Sequence, residues 1–164
     1  MRKLFLLVLL AAPALTRGQS PEAVGQPAGF RAIGAFFALS VADADASAKW
    51  YSEKLGLRLT MQVAKSKETP AVRILAGGGL IVELIETDKA VPLGKAAPGI
   101  ASEELVQGIL KVGVLVDDLD EVLALLKAKA VPTFLGPFPA RENNMRNVII
   151  KDNSGNLIQF FGRK

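Results

Sequence analysis

From Ala35 onward the apolar positions first alternate and then change period. Phe37, Leu39 and Val41 form one apolar row and Phe36, Ala38 and Ser40 the other, the two-residue repeat of a strand. After Asp43 the spacing becomes helical, with Ala44, Ala48, Tyr51 and Leu55 on one stripe that faces a sheet. Asp43 or Asp45 can cap this helix by accepting its first orphan N–H groups, and Gly56 suits the left-handed position past its end. Trp50 and Tyr51 read as core aromatics with one polar edge near water.

Strands are predicted within Leu57–Lys67 and Ala71–Gly77, separated by a charged turn at Pro70. Gly77, Gly78 and Gly79 turn the chain into LIVELIE, Leu80 to Glu86. There Val82 and Leu84 face one way and Ile81, Glu83 and Ile85 the other. The segment from Thr87 to Gly108 reads as a linker broken by Pro92, Gly94 and Pro98, in which Ser102, Glu103 and Glu104 can start one helical turn. The opening then repeats. At a shift of 75 residues Phe36, Val41 and Asp43 map onto Lys111, Val116 and Asp118. Leu110, Val112, Val114 and Val116 form the apolar row, and Lys111, Gly113 and Leu115 form the other. Asp118 and Glu121 have the spacing of a capping box, and Leu119, Val122, Leu123 and Leu126 have helical spacing. Strands follow at Val131–Leu135 and Asn147–Ile150, then the turn Asp152–Asn156 and a last strand LIQFF. Two copies are too few for a solenoid; they more naturally pair their sheets into one cupped surface.

Composition narrows this picture. A chain of 164 residues, 50% hydrophobic, supports one domain or two small modules sharing a core. Arg2 and Lys3 precede an uncharged run from Leu4 to Leu15, the pattern of a secretory signal peptide and too short for a bilayer span. Residues 1–18 are therefore expected to be a signal peptide and 19–30 a flexible arm rich in Gly, Pro and Gln, which makes the protein periplasmic or secreted. Removing residues 1–18 takes away Arg2, Lys3 and Arg17 and no acid, so 20 bases against 16 acids becomes 17 against 16. No cluster of bases with interleaved aromatics then suggests a nucleic-acid partner, and no membrane association is expected after cleavage.

Zero cysteines exclude disulfides, thiolate metal sites and a cysteine nucleophile. Zero histidines leave Ser40, Ser47 and Ser154 without the usual base for nucleophilic serine chemistry, and Ser47 fits a helix start better. The triple glycine is no phosphate loop, because it opens a strand and no Lys-Ser or Lys-Thr follows. Arg73 and Arg146 can point into the cup and clamp a carboxylate or phosphate, or can lie exposed on a sheet rim.

The pattern V-x-D-x-x-x-S-x-x-W-Y-x-x-x-L-G from Val41 to Gly56, the LIVELIE strand, the VDDLDE unit and the D-x-S-G-N turn together resemble the vicinal oxygen chelate superfamily. That group includes glyoxalase I, extradiol dioxygenases and bleomycin resistance proteins. The resemblance spans roughly Ile33 to Gly162. It implies an α+β fold of two βαβββ modules forming a cupped mixed sheet over residues 31–163: module one 33–87, linker 88–107, module two 108–163. It also implies cups often completed by dimerisation, and four inward positions where metal-using members place ligands. Those positions hold Phe36, Glu83, Lys111 and Gln159. Only Glu83 is a usual ligand, and one carboxylate with one amide oxygen falls short of the about three protein ligands that an open catalytic site uses.

An ammonium from Lys111 can instead stand where the metal charge would be and pair with Glu83, either as a polar plug or as a group that binds ligand or moves protons. Phe36, Ile81 and Phe161 make the hollow apolar, which suits a greasy or aromatic ligand, or simply fill it. The expectation is an exported protein, without a metal cofactor, that binds a small apolar or aromatic molecule through Phe36, Glu83, Lys111, Gln159, Phe161 and Arg146. A lyase or isomerase of glyoxalase type with a divalent metal at Glu83 is the first alternative. A structural module that forms a homodimer is the second.

Overall fold

A computed structural model describes residues 35–100, 109–140 and 145–163. The expected signal peptide and arm, and the helical turn at Ser102–Glu104, lie outside the described residues. Among the described residues, eight strands and three helices follow in the order β1 (Phe37–Ser40), α1 (Ala44–Leu55), β2 (Arg58–Val63), β3 (Ala71–Gly77), β4 (Leu80–Glu86), α2 (Leu93–Ala96), β5 (Lys111–Asp118), α3 (Leu119–Ala128), β6 (Thr133–Phe138), β7 (Arg146–Lys151) and β8 (Leu157–Arg163). They build two four-stranded mixed sheets of the same plan, β1-β4-β3-β2 and β5-β8-β7-β6. In each sheet the first strand runs parallel to the last and the other pairs are antiparallel. This is the α+β fold of paired βαβββ modules that the repeat predicts. No described helix is long and apolar enough to cross a membrane.

The repeat is visible in the helix starts. Asp43 caps α1 by accepting from the Ala46 N–H at 2.8 Å, and Asp118 caps α3 by accepting from the N–H groups of Asp120 and Glu121 at 2.8 and 3.3 Å. Each aspartate satisfies donors that an α-helix leaves without an internal partner. Gly56 ends α1 at φ 73°, ψ 16°, a conformation that costs a side-chain-bearing residue about 1–2 kcal/mol. Gly162 is required for a different reason: a Cβ there would meet Val116 Cγ2 at 2.8 Å and the Val116 carbonyl oxygen at 2.9 Å, where β8 passes close to the end of β5.

One hydrophobic cluster runs through both modules, joining Val41, Ala44, Val82 and Leu84 to Val114, Leu119, Val148 and Phe160. Its polar seam differs from the expectation for Tyr51. The ring is fully buried and its hydroxyl does not reach water but donates 2.9 Å to Asp152, in the turn between β7 and β8. Asp152 also accepts from the N–H groups of Ser154 and Asn156 and from the Asn156 amide, so a buried carboxylate is surrounded by donors. Lys54 closes the same junction by donating to the Lys129 carbonyl at 2.7 Å. Two strand boundaries shift from expectation: β1 begins at Phe37, leaving Phe36 outside it, and β6 begins at Thr133 and runs to Phe138.

Candidate functional site

Register fixes which residues share a face, because partners directly opposite in adjacent strands point the same way. In the first sheet Val82 and Leu84 are fully buried on the side that α1 covers. The opposite, open side carries the row Ala38, Glu83, Ile74 and Met61 across β1, β4, β3 and β2, flanked by Ile81 with Ala76 and by Ile85 with Val72. Glu83 is half-buried in the middle of this surface. It has no hydrogen-bond or ion-pair partner among the described residues. Phe36, one position before β1, is 58% exposed.

In the second sheet the buried side is formed by Val114, Val148, Ile150, Ile158 and Phe160. The open side carries three rows read from β5 to β7: Lys111, Leu157 and Lys151; Gly113, Gln159 and Ile149; Leu115, Phe161 and Asn147. The Gln159 amide donates to Asn147 Oδ1 at 2.7 Å, which fixes its orientation and leaves its own oxygen facing outward from that bond. Lys151 places its ammonium 4.1 Å from the centre of the Phe134 ring, a cation-π contact that desolvates neither group fully. Among the described residues nothing covers this face at Gly113, where an added Cβ would meet no atom within 4 Å, or at Leu115, which is 77% exposed.

Arg73 and Arg146, which could point into the cup or lie on a sheet rim, are on the other side of their sheets. Arg73 pairs with Gln62 and Leu84 in register and reaches α1, donating from Nε and Nη2 to the two oxygens of Asp45 at 2.7 and 3.0 Å. A third donor, Nη1, bonds the carbonyls of Val63 and Val72. Arg146 lies opposite Gly162 and donates to Asp120 of α3 at 2.8 Å. Both do clamp a carboxylate, but it belongs to the helix of the same module. The bond from Arg73 holds the Asp45 carboxyl below the usual range, and the same bond raises the guanidinium. Arg146 therefore leaves the set of ligand-facing residues: its strand position has the wrong parity, and its guanidinium is already engaged.

The sequence-predicted residues are thus brought together in two groups. Phe36 and Glu83 belong to the first sheet; Lys111, Gln159 and Phe161 share the open face of the second. No ion pair joins Glu83 to Lys111 among the described residues. Lys111 also lines a cavity of about 490 Å³ at the junction of the modules, together with residues from the ends of β1 and β5, the segment before α2 and the turn into β8. Sequence reasoning missed this cavity because its walls are strand ends and loop residues with no motif of their own. Ser154 is at its edge and shares a hydrogen bond of 3.2 Å with Ser47, so both serines serve the junction.

The donor set does not fit a resident divalent metal. No group of three or more His, Cys, Asp or Glu side chains is gathered among the described residues. Of the four positions that the family resemblance marks, Phe36 has no donor atom, the Lys111 ammonium is a cation without a lone pair, and the two oxygen donors, Glu83 and Gln159, stand on different sheets.

Comparison with known proteins agrees with this architecture. The sequence model of the Glyoxalase/Bleomycin resistance protein/Dioxygenase superfamily matches residues 34–160. The glyoxalase family protein from Enterococcus faecalis superposes with a TM-score of 0.63 at 17% identity, covering 77% of this chain and 94% of that one. The glyoxylase/bleomycin resistance protein/dioxygenase domain from Frankia sp. EAN1pec gives 0.62 at 17% identity, over 82% and 94%. Lactoylglutathione lyase from Agrobacterium tumefaciens gives 0.54 at 21% identity, over 83% and 95%. At these identities the likeness is one of fold. No protein of curated function matches the sequence.

Proposed function

The chain belongs to the Glyoxalase/Bleomycin resistance protein/Dioxygenase superfamily, and from that premise we propose that it is an exported binding protein. It takes up a small apolar or aromatic molecule on the open faces of its sheets without using a metal. The observation that carries this reading is the make-up of those faces. They hold aliphatic and aromatic side chains around a few fixed polar groups, Glu83 on one sheet and the Gln159–Asn147 amide pair on the other, which is the usual composition of a small-molecule site. The metal-dependent lyase reading is disfavoured by the donor set, since one carboxylate and one amide oxygen fall short of the about three protein ligands of an open metal site.

The reading includes a second copy of the chain. Phe36, Leu115, Leu135 and Phe138 are 58%, 77%, 40% and 41% exposed. Leu115, Leu135 and Phe138 share the open face of the second sheet and Phe36 stands beside the first, and apolar residues exposed together in this way mark a surface that something covers. A symmetric dimer would cover the open face of one module with that of another and complete the cup.

The test is a thermal-shift screen of the mature protein against aromatic and aliphatic small molecules, with sedimentation to give the oligomeric state. A ligand at about 100 times its Kd adds about 2.7 kcal/mol, enough to raise Tm by about 5 °C or more. Phe161→Ala and Glu83→Ala are expected to reduce that shift while leaving the ligand-free Tm within a few degrees. A library without any hit, or a stoichiometric divalent ion lost on Glu83→Ala, overturns the proposal.

A further inference from the structure

The junction cavity differs in character from the open faces. Leu39, Val41, Leu93, Val112 and Leu157 supply apolar wall, and Lys111 is the one charged residue among the described residues that line it. Among the described residues no acid lines the cavity and Lys111 has no ion-pair partner. The rim is apolar as well: Val91, Leu110 and Ile109 are 51%, 37% and 94% exposed. At about 490 Å³ the space lies inside the range of about 300–1,000 Å³ in which small-molecule sites fall.

Two physical consequences follow. The walls favour an apolar occupant, because each buried methylene contributes about 0.8 kcal/mol. The electrostatics favour an anion over a neutral or cationic group of the same shape, because an ammonium at an apolar edge gains from a carboxylate, and no acid among the described residues competes for it. Hydroxyl and amide groups of Ser40 and Asn156 at the lining can complete the shell of a carboxylate.

We propose that the junction cavity, which meets the open face of the second sheet only at Lys111 and Leu157, is a second binding site that takes a small organic acid with its carboxylate at the Lys111 ammonium and its aliphatic body along Leu39, Val41, Val112 and Leu157. The site is built by the way the modules abut, so it exists in a single chain and does not need a dimer. It stands whether or not the open faces bind anything.

The experiment compares octanoic acid with octanol as probes by equilibrium dialysis on the mature wild-type protein and four variants. Octanoate is expected to bind about tenfold more tightly than octanol, the lower range for a charge-assisted bond near solvent. Lys111→Met should bring octanoate down to the level of octanol. Ala90→Trp and Ala42→Phe, both at exposed positions that line the cavity, should fill it and abolish the tenfold preference for octanoate over octanol. Equal binding of acid and alcohol refutes the role of Lys111. A preference for octanoate that survives both filling variants, or that Phe161→Ala removes instead, refutes the location, and the second outcome would put the acid on the open face. Absence of saturable octanoate binding refutes the site altogether and leaves the open-face reading to its own screen.

Discussion

Tyr51→Phe is the most informative single perturbation of this fold. Tyr51 is the only tyrosine in the chain, is fully buried on α1, and donates its hydroxyl across the module junction to Asp152 at 2.9 Å. The substitution keeps the ring, so no cavity opens and the loss is confined to one donor. Asp152 keeps three others, the N–H groups of Ser154 and Asn156 on Oδ1 and the Asn156 amide on Oδ2. A hydrogen bond to a charged acceptor is worth about 1.5–3 kcal/mol net, and with the carboxylate still solvated by those donors the loss should fall in that range. Urea unfolding should show a lower midpoint at unchanged slope.

The same bond makes stability depend on alkaline pH in a way that the single tyrosine lets one measure. Burial first, and then the charge and hydrogen bond of Asp152, raise the phenol well above its ordinary value of 10.0. Because the folded value is the raised one, the contribution is fully present below about pH 10, where neither state ionises. It is lost as pH rises above that point, where the unfolded chain releases a proton that the native protein keeps. The slope is about 1.4 kcal/mol per pH unit for one proton. The stability difference between wild type and Tyr51→Phe should therefore shrink above about pH 10, and tyrosinate absorbance of the native protein should stay low until it unfolds. Tyrosinate appearing in the folded protein with a midpoint near 10.0, or two pH–stability curves that stay parallel, would refute the reasoning.

Gly162→Ala should cost about 1–3 kcal/mol, since its Cβ would meet the Val116 backbone oxygen at 2.9 Å, whereas Gly113→Ala, with no atom within 4 Å, should stay within about 0.5 kcal/mol; chemical denaturation compares the two. Glu86 is held below its ordinary value first by the Ala44 N–H and then by Lys65. Its contribution is therefore present above about pH 4.5 and lost as pH falls through the lower folded value, and Glu86→Gln should flatten the acid limb of the pH–stability curve; an unchanged limb would count against the assignment. Finally, Phe36→His, Lys111→His and Gln159→Glu combined with the native Glu83 should create divalent-metal binding at least about tenfold tighter than Phe36→His alone if the open faces of the two sheets meet in a cup. Equal affinity of the two variants in metal titration would show that they do not.

Most of the architecture was legible because each module announces itself locally. The change of period after Asp43 and again after Asp118 placed both helices, and parity along LIVELIE assigned Val82 and Leu84 to the core and Glu83 to the open face, as the register shows. Parity also had the information that Arg73 and Arg146 face the helices, since Arg73 is one residue before Ile74 and Arg146 two before Val148. The assignment of Arg146 to a ligand went astray because its partner, Asp120 in the first turn of α3, is 26 residues away; Asp45, the partner of Arg73, is 28 residues away and was no more visible. The Tyr51–Asp152 bond, with its partners 101 residues apart, and the junction cavity were illegible for a related reason. Local pattern gives the faces of an element, but the contacts between modules depend on how two finished units abut.

The two modules carry the same devices on their helix sides and different residues on their open sides, and the physics accounts for the division. Asp43 and Asp118 satisfy helix N-termini, and the Asp45–Arg73 and Asp120–Arg146 pairs tie each helix to its sheet. Any βαβββ unit needs its helix started and docked. The central open row is instead Ala38, Glu83, Ile74 and Met61 in one module and Gly113, Gln159, Ile149 and Leu135 in the other. Ile74 and Ile149 in these rows are buried, but Glu83 and Gln159 close no core and cap no helix, so exchanging those two leaves the scaffold standing, and a set of metal donors can be absent without cost to folding. A half-buried carboxylate with no partner among the described residues, such as Glu83, adds nothing to the stability of a single chain. Its energetic return comes only from a donor brought by a ligand or by a second subunit, which makes Glu83 the residue at which binding, and not folding, is expected to be felt.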